Sequence, residues 1–250
     1  VKRTIKIALV TALAAVLLAG AGCIKRVPID PASMKVTERT ESAKLGDARK
    51  MALNVKMDVG KLSIESTPTS AQAVRARFAY APFTLRPEFS SDMADRYLQV
   101  DVRSSSDSRL ELRPNVVRNE WNLAVAKGVP TDISVELGAG KGTLDLRGID
   151  LTNLAVTQGA GDVTIDLSKQ ATPVDVQATL GAGNATIKVP AGAQVRVRGS
   201  DDGFGGFRAP GFVKDAGALV NSRYGDSKAT AIIEIEMQRG VGDVNIVEVD

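Results

Sequence analysis

Polar and apolar residues alternate along most of this chain, and one short glycine phrase interrupts the alternation at intervals. Ile133-Ser134-Val135-Glu136-Leu137 runs into Gly138-Ala139-Gly140, and Thr143-Leu144-Asp145-Leu146 leaves it. The phrase returns as Gly159-Ala160-Gly161, as Gly181-Ala182-Gly183 and as Gly240-Val241-Gly242, with a degenerate copy in Val59-Gly60-Lys61-Leu62-Ser63-Ile64. Strict period-two alternation predicts strands with one face buried and the other wet. The first three full copies start 21 and then 22 residues apart, which predicts a unit that stacks on itself as a solenoid. The last starts 59 residues after the third, close to three such periods, and predicts a terminal rung that completes the coil.

The glycines suit a backbone that bends or takes positive φ, and rungs that approach closely. The residue after the second glycine is Lys141, Asp162, Asn184 or Asp243, so that position accepts either charge, which a ligand site would not. Calcium-binding solenoid repeats follow a different phrase, Gly-Gly-x-Gly-x-Asp. A dinucleotide fingerprint needs a helix after its glycines, whereas Thr164-Ile165-Asp166-Leu167 is a strand pattern.

Outside the repeats, Val74 to Tyr80 alternates with Arg75 and Arg77 on the wet face, where they read as solvated charge rather than a contact patch. The segment from Tyr80 to Phe89 carries Pro82 and Pro87 and predicts an irregular loop. Tyr97–Val102 and Arg109–Arg113 predict a hairpin around Ser104–Ser108. Trp121, the single tryptophan, is expected to cap one end of the core. The glycine-rich stretch from Asp201 to Phe212 reads as an insertion whose Phe204, Phe207 and Phe212 close over the solenoid end or meet a partner.

The amino terminus changes the class of protein. Lys2, Arg3 and Lys6 precede an apolar run from Ile7 to Leu18, then the small residues Ala19-Gly20-Ala21-Gly22, which is the grammar of an export signal. The run is too short to span a bilayer comfortably. Leu18-Ala19-Gly20-Ala21-Gly22-Cys23 resembles a bacterial lipoprotein lipobox, with Gly20 where that family usually has Leu. The resemblance implies that Cys23 becomes the acylated first residue of the mature chain, anchored through buried methylenes. The absence of Asp beside it favours an outer membrane, where the cell has one. Residues 1–22 are thus expected to be a signal helix, 23–50 a flexible polar tether, and 51–250 the folded domain.

The formal charge of +3 is set by that leader: without Lys2, Arg3 and Lys6 there remain 29 basic against 29 acidic side chains. A neutral mature chain lacks the electrostatic footprint of a nucleic-acid binder. With no histidine and one cysteine, Ser-His and Cys-His nucleophilic sites and histidine metal sites are excluded. Carboxylate chemistry remains, and stacking would bring Asp145 and Asp166 about 5 Å apart on adjacent rungs. Lys188 occupies the same place in the next copy, so the row reads as a charge-compensated solvated face. No cofactor or metal is expected.

The run from Asn119-Glu120-Trp121 through the Gly-Ala-Gly copies to Gly240-Val241-Gly242-Asp243-Val244 resembles the bacterial toast-rack domains. These are grouped with candidate adhesins and with the domain of cell-wall-active-antibiotics response proteins. The resemblance implies an all-β, right-handed single-stack solenoid at the cell envelope, with no catalytic residues to carry over. The expected function is that of an adhesion or scaffold module, or alternatively one that restrains an envelope-stress sensor; a carbohydrate-active β-helix enzyme is the third and least favoured alternative. Its expected partners are the membrane through Cys23, an envelope protein or cell-wall polymer, and a second copy of itself.

Overall fold

A strand that alternates with period two buries one face only, and here each repeat covers that face with its own continuation beyond a bend. The structure is a computed structural model of the chain and describes residues 35–68, 71–81, 85–105, 118–199 and 203–250. In these residues sixteen strands form one sheet. The first six are β1 (Thr37–Lys44), β2 (Lys50–Thr67), β3 (Gln72–Ala81), β4 (Pro87–Ala94), β5 (Tyr97–Ser104) and β6 (Arg118–Ala126). The middle of the chain gives β7 (Thr131–Asp145), β8 (Leu151–Asp166), β9 (Val174–Ala182), β10 (Ala185–Pro190) and β11 (Gln194–Arg198). The remainder are β12 (Phe207–Arg208), β13 (Val213–Asp215), β14 (Ala218–Val220), β15 (Ile232–Val241) and β16 (Val244–Val249).

Strands β2, β7 and β8 run straight through their glycines and stack in parallel register. Met51 lies opposite Thr131, Gly60 opposite Gly140 and Glu65 opposite Asp145, and the pairing of β7 with β8 continues to Asp145 opposite Asp166. The next rung is split at Gly183 into β9 and β10, which stack on the two halves of β8. Each rung therefore has an arm before the glycines and an arm after them, and the inward residues of both arms make the core. Met51, Leu53, Val55 and Met57 meet Leu62 and Ile64 there, as Ile133, Val135 and Leu137 meet Leu144. This is the all-β solenoid that the repeat predicted.

The second glycine of each bend is where the sequence has least freedom. At Gly140 and Gly161 φ is +135° and +111°, and a β-carbon would overlap the carbonyl oxygen of Gly60 or Gly140 on the rung below. Only glycine admits both the dihedral and the close approach.

The order of the rungs departs from the order of the chain at both ends. The Gly240 copy is not terminal: β15 pairs with β9 on one side and β11 on the other, and β16 lies between β10 and the short β12. The glycine-rich stretch expected as an insertion is itself a rung: Phe204 bridges Val241, and a β-carbon on Gly205 would overlap the carbonyl oxygen of Gly242. Gly203-Phe204-Gly205 is thus one more Gly-x-Gly bend. At the other end, β5 and β6 form the rung beyond β2, although 29 residues separate the end of β2 from the start of β5.

Antiparallel strands cover both ends. β1 pairs with β3 and β3 with β6, β4 pairs with β5, and β14 pairs with β11. Two sequence expectations change here. The stretch expected as tether up to residue 50 carries β1 from Thr37, so the sheet starts earlier than residue 51. The hairpin partner of Tyr97–Ser104 is Pro87–Ala94, joined through Asp95 and Arg96 at positive φ, where the sequence suggested a loop. The Arg109–Arg113 half of the expected hairpin and the signal segment with Cys23 lie outside the described residues.

Candidate functional site

No group of three or more His, Cys, Asp and Glu is placed to hold a metal ion among the described residues. The described surface carries the two wet faces of the arms, an aromatic rung and a carboxylate row.

The face of the second arms is the most regular. On β6, β2, β7, β8, β10 and β16 the outward residues at one register are Asn122, Ser63, Thr143, Thr164, Thr186 and Asn245, each directly opposite the next. None of these six side chains makes a hydrogen bond within the protein, so a straight row of free hydroxyl and amide groups crosses the sheet at one rung spacing, about 4.8 Å. Beside it runs a row with a structural task. Asp162 accepts a hydrogen bond from the Asn184 backbone N–H at 3.1 Å, Asn184 from that of Asp243 at 3.2 Å, and Asp243 from that of Gly206 at 2.7 Å. This staircase explains why the position after the second glycine takes short polar residues in the later copies.

The third row is the carboxylate pair. Asp145 and Asp166 are adjacent, Arg147 lies 2.6 Å from Asp145 and 3.9 Å from Asp166, and Lys188 lies 3.4 Å from Asp166. Hydrogen bonds from Arg147 hold the Asp145 carboxyl below its ordinary value. At Asp166 partial burial pushes the other way, but hydrogen bonds from Ser168 and the charge of Lys188 outweigh it. A general acid must keep its proton near neutrality, with a raised value; both members of this pair are shifted the opposite way. The compensated charge row expected from the sequence is what the structure contains.

At the start of the same face, Arg75 and Arg77 project from β3. Arg77 lies opposite Thr40 and Asn122, and Arg75 opposite Ser42 and Ala124. A shallow depression of about 380 Å³ opens between Glu65, Thr67, Gln72, Arg75, Arg77, Asn122 and Ala124. Its floor is low because Ala124 is small. Beyond Arg77 a second depression, about 280 Å³, is lined by Glu38, Arg39, Arg118 and Glu120 among others.

On the face of the first arms, Ser134 and Ala155 leave a depression of about 340 Å³ bordered by Asn54, Asp132, Asn153, Asp175 and Gln177. Asp132 is fully engaged there: Thr152 and Asn153 donate to it at 2.5 and 2.7 Å and Lys50 pairs with it at 2.7 Å. Partial burial raises the Asp132 carboxyl, and these three donors more than offset that and lower it.

The three phenylalanines separate. Phe204 is 78% exposed beside Val241, itself 59% exposed, at the outer corner of the bend. Phe207 packs against the core under the Arg239 guanidinium, 5.2 Å from the ring centroid, and Phe212 is also packed against the core. Trp121 is fully buried, edge-on to Phe78 at 5.6 Å. Its indole N–H donates to Asn119 Oδ1 at 2.7 Å, and Asn119 Nδ2 donates to the Val59 carbonyl at 2.7 Å. The eight glycines expected at the turns, Gly138, Gly140, Gly159, Gly161, Gly181, Gly183, Gly240 and Gly242, all lie at the stacked bends.

The family model for the N-terminal domain of toast_rack, DUF2154, matches residues 32–188. The chain belongs to this family. Among solved structures, a candidate cell-adhesion protein from Clostridium sporogenes ATCC 15579 is 28% identical, with 86% of this chain and 100% of that one covered and a TM-score of 0.75. A candidate adhesin from Bacteroides fragilis NCTC 9343 covers 85% of this chain and 97% of its own at 12% identity and a TM-score of 0.29. The likeness in fold rests on the first. No curated protein matches the chain.

Proposed function

We propose that this toast-rack chain is a non-catalytic contact module of the bacterial envelope, lipid-anchored through Cys23, that works in adhesion through the wet faces of its stacked arms. The observation that carries the reading is the row of six unpartnered polar side chains on the second-arm face, in register across parallel strands. Such a row offers many weak, equivalent contacts to an extended surface and no enclosed volume for a small substrate. The likeness to the Clostridium protein named for cell adhesion supports the same class. The depressions on both faces are shallow, and the adjacent carboxylates are held ionised, which favours binding over turnover.

The test has two parts. Wild-type protein expressed in its bacterium should incorporate labelled fatty acid and remain with membranes, and the Cys23→Ser protein should do neither. Beads coated with Cys23→Ser full-length protein should bind isolated envelope saturably and be displaced by excess free protein. Beads that fail to bind envelope overturn the adhesive reading; fatty-acid labelling of Cys23→Ser overturns the anchor.

A further inference from the structure

We infer that the β3–β6 end of the second-arm face is a binding site for the anionic group of a polyhydroxylated polymer. In that arrangement Arg75 and Arg77 hold the carboxylate or phosphodiester, and the polymer chain lies along the polar row that starts at Asn122. The inference rests on the adhesive reading and names the ligand class of that face.

Charge is the first argument. Five guanidiniums project from this face in the described residues. Arg118 pairs with Glu120 at 2.8 Å, Arg147 with Asp145 at 2.6 Å and Arg208 with Asp243 at 3.8 Å. Arg75 and Arg77 alone among the five make no ion pair and no hydrogen bond. Two residues apart on one strand, they stand about 7 Å from each other. Both are exposed, and each planar guanidinium presents a donor fork that matches a carboxylate or phosphate group bidentately.

Shape is the second. Ala124, opposite Arg75, leaves the depression between the two arginines, Asn122 and Glu65, so an anionic group can sit between the guanidiniums rather than above them. Glu65 faces the same depression from β2 and makes no ion pair, which leaves the site with one net positive charge and a built-in brake on its affinity.

Continuity is the third. Asn122 borders the depression and is also the first member of the row Ser63, Thr143, Thr164, Thr186 and Asn245. From Arg77 to Asn245 the row crosses six strand spacings, roughly 29 Å. Its groups recur about every 4.8 Å, near the length of one sugar or polyol unit in an extended chain. The acids alongside it are already committed, Asp145 and Asp166 to Arg147 and Lys188 and Asp162 to the backbone of Asn184, so they add little repulsion against an anionic chain.

The test uses full-length Cys23→Ser protein and three polymers, polygalacturonate as the carboxylate source, poly(glycerol phosphate) as the phosphodiester source and dextran as a neutral control, with duplex DNA and anionic phospholipid vesicles as competing ligands. At low salt one charged polymer, and not dextran, should bind, with affinity falling as salt rises. The better binder of the two identifies the anionic group. R75Q/R77Q should weaken that binding at least tenfold, E65Q should tighten it several-fold, and T164V should weaken it several-fold. K50Q/K56Q removes as much charge from the other face and should stay within twofold of wild type. Because Arg75 and Arg77 bond to nothing in the fold, unchanged melting of R75Q/R77Q is expected and separates lost binding from lost structure. Equal binding by R75Q/R77Q and wild type overturns the inference. So does binding of dextran as tight as that of the charged polymers, binding of neither charged polymer, or a stronger preference for DNA or anionic vesicles. If R75Q/R77Q beads still bind envelope as wild type does, the ligand assignment fails while the adhesive reading stands.

Discussion

The middle of this stack and its ends are built on different rules. In the middle, from β2 through β7, β8, β9 and β10 to β15 and β16, every rung repeats one backbone path and pairs in parallel. Side chains there need only alternate, and the glycines fix the bend. At the ends the pairing turns antiparallel and side chains take over the work. On the outer strand β1, Arg39 and Glu41 point inward and pair with each other, which keeps an open edge from accepting another strand. A parallel stack propagates through its backbone and has to be stopped by particular residues.

The sharpest way to break this comparison is at a middle glycine. Gly161→Val should abolish folding or cost more than about 4 kcal/mol, because it combines positive φ with overlap on Gly140. Gly225→Ala shares a positive φ, +84°, but meets nothing within 4 Å, and should cost only about 1–2 kcal/mol. Chemical denaturation of both variants measures the difference, and equal losses would mean that the close approach between rungs matters little.

Next in size is the end of the core that depends on one side chain. Trp121→Ala should cost about 3–5 kcal/mol and lower Tm by on the order of 10 °C, since the ring is fully buried and its loss also strands Asn119. Asp162→Ala is smaller: it removes one step of an exposed staircase and should cost about 1 kcal/mol, with no response to calcium. A larger loss, or one restored by calcium, would make that row a ligand site.

The smallest effect is the response to pH. Asp132, Asp145 and Asp166 have carboxyls held below their ordinary 3.8 in the fold. Their contribution to stability is complete above that value and is lost as pH falls through it toward the lower folded values. With no histidine in the chain, urea midpoints should be flat between about pH 5 and 8 and decline in acid. A step near pH 6.5 would contradict this.

The middle was legible in the sequence because each rung writes the same backbone demand in the same letters. Alternation names the buried face of a strand but not the strand beside it, so the placement of β15 between β9 and β11 had no local signal. The rung at Gly203-Phe204-Gly205 was hidden for a related reason. Phenylalanine stands where other copies have alanine or valine, and the strand after it is two residues long. The strand β4 was masked by Pro87, which the first residue of an edge strand tolerates. Likewise, alternation put Arg75 and Arg77 on a wet face, but only the register shows that no acid stands opposite them. Trp121 was legible as a core end; its bond to Asn119 was not.

The placement of β15 and β16 has a consequence for how the molecule is made. Residues 194–198 and 207–208 leave the ribosome before residues 232–249, yet they stack outside them. The outer coil cannot dock in its final place until the later segment has slipped in beneath it, so growth of the stack cannot simply follow synthesis. During that interval β9 and β10 present an unpaired parallel edge, the state in which an emerging chain is most open to pairing with a neighbour and in greatest need of an escort.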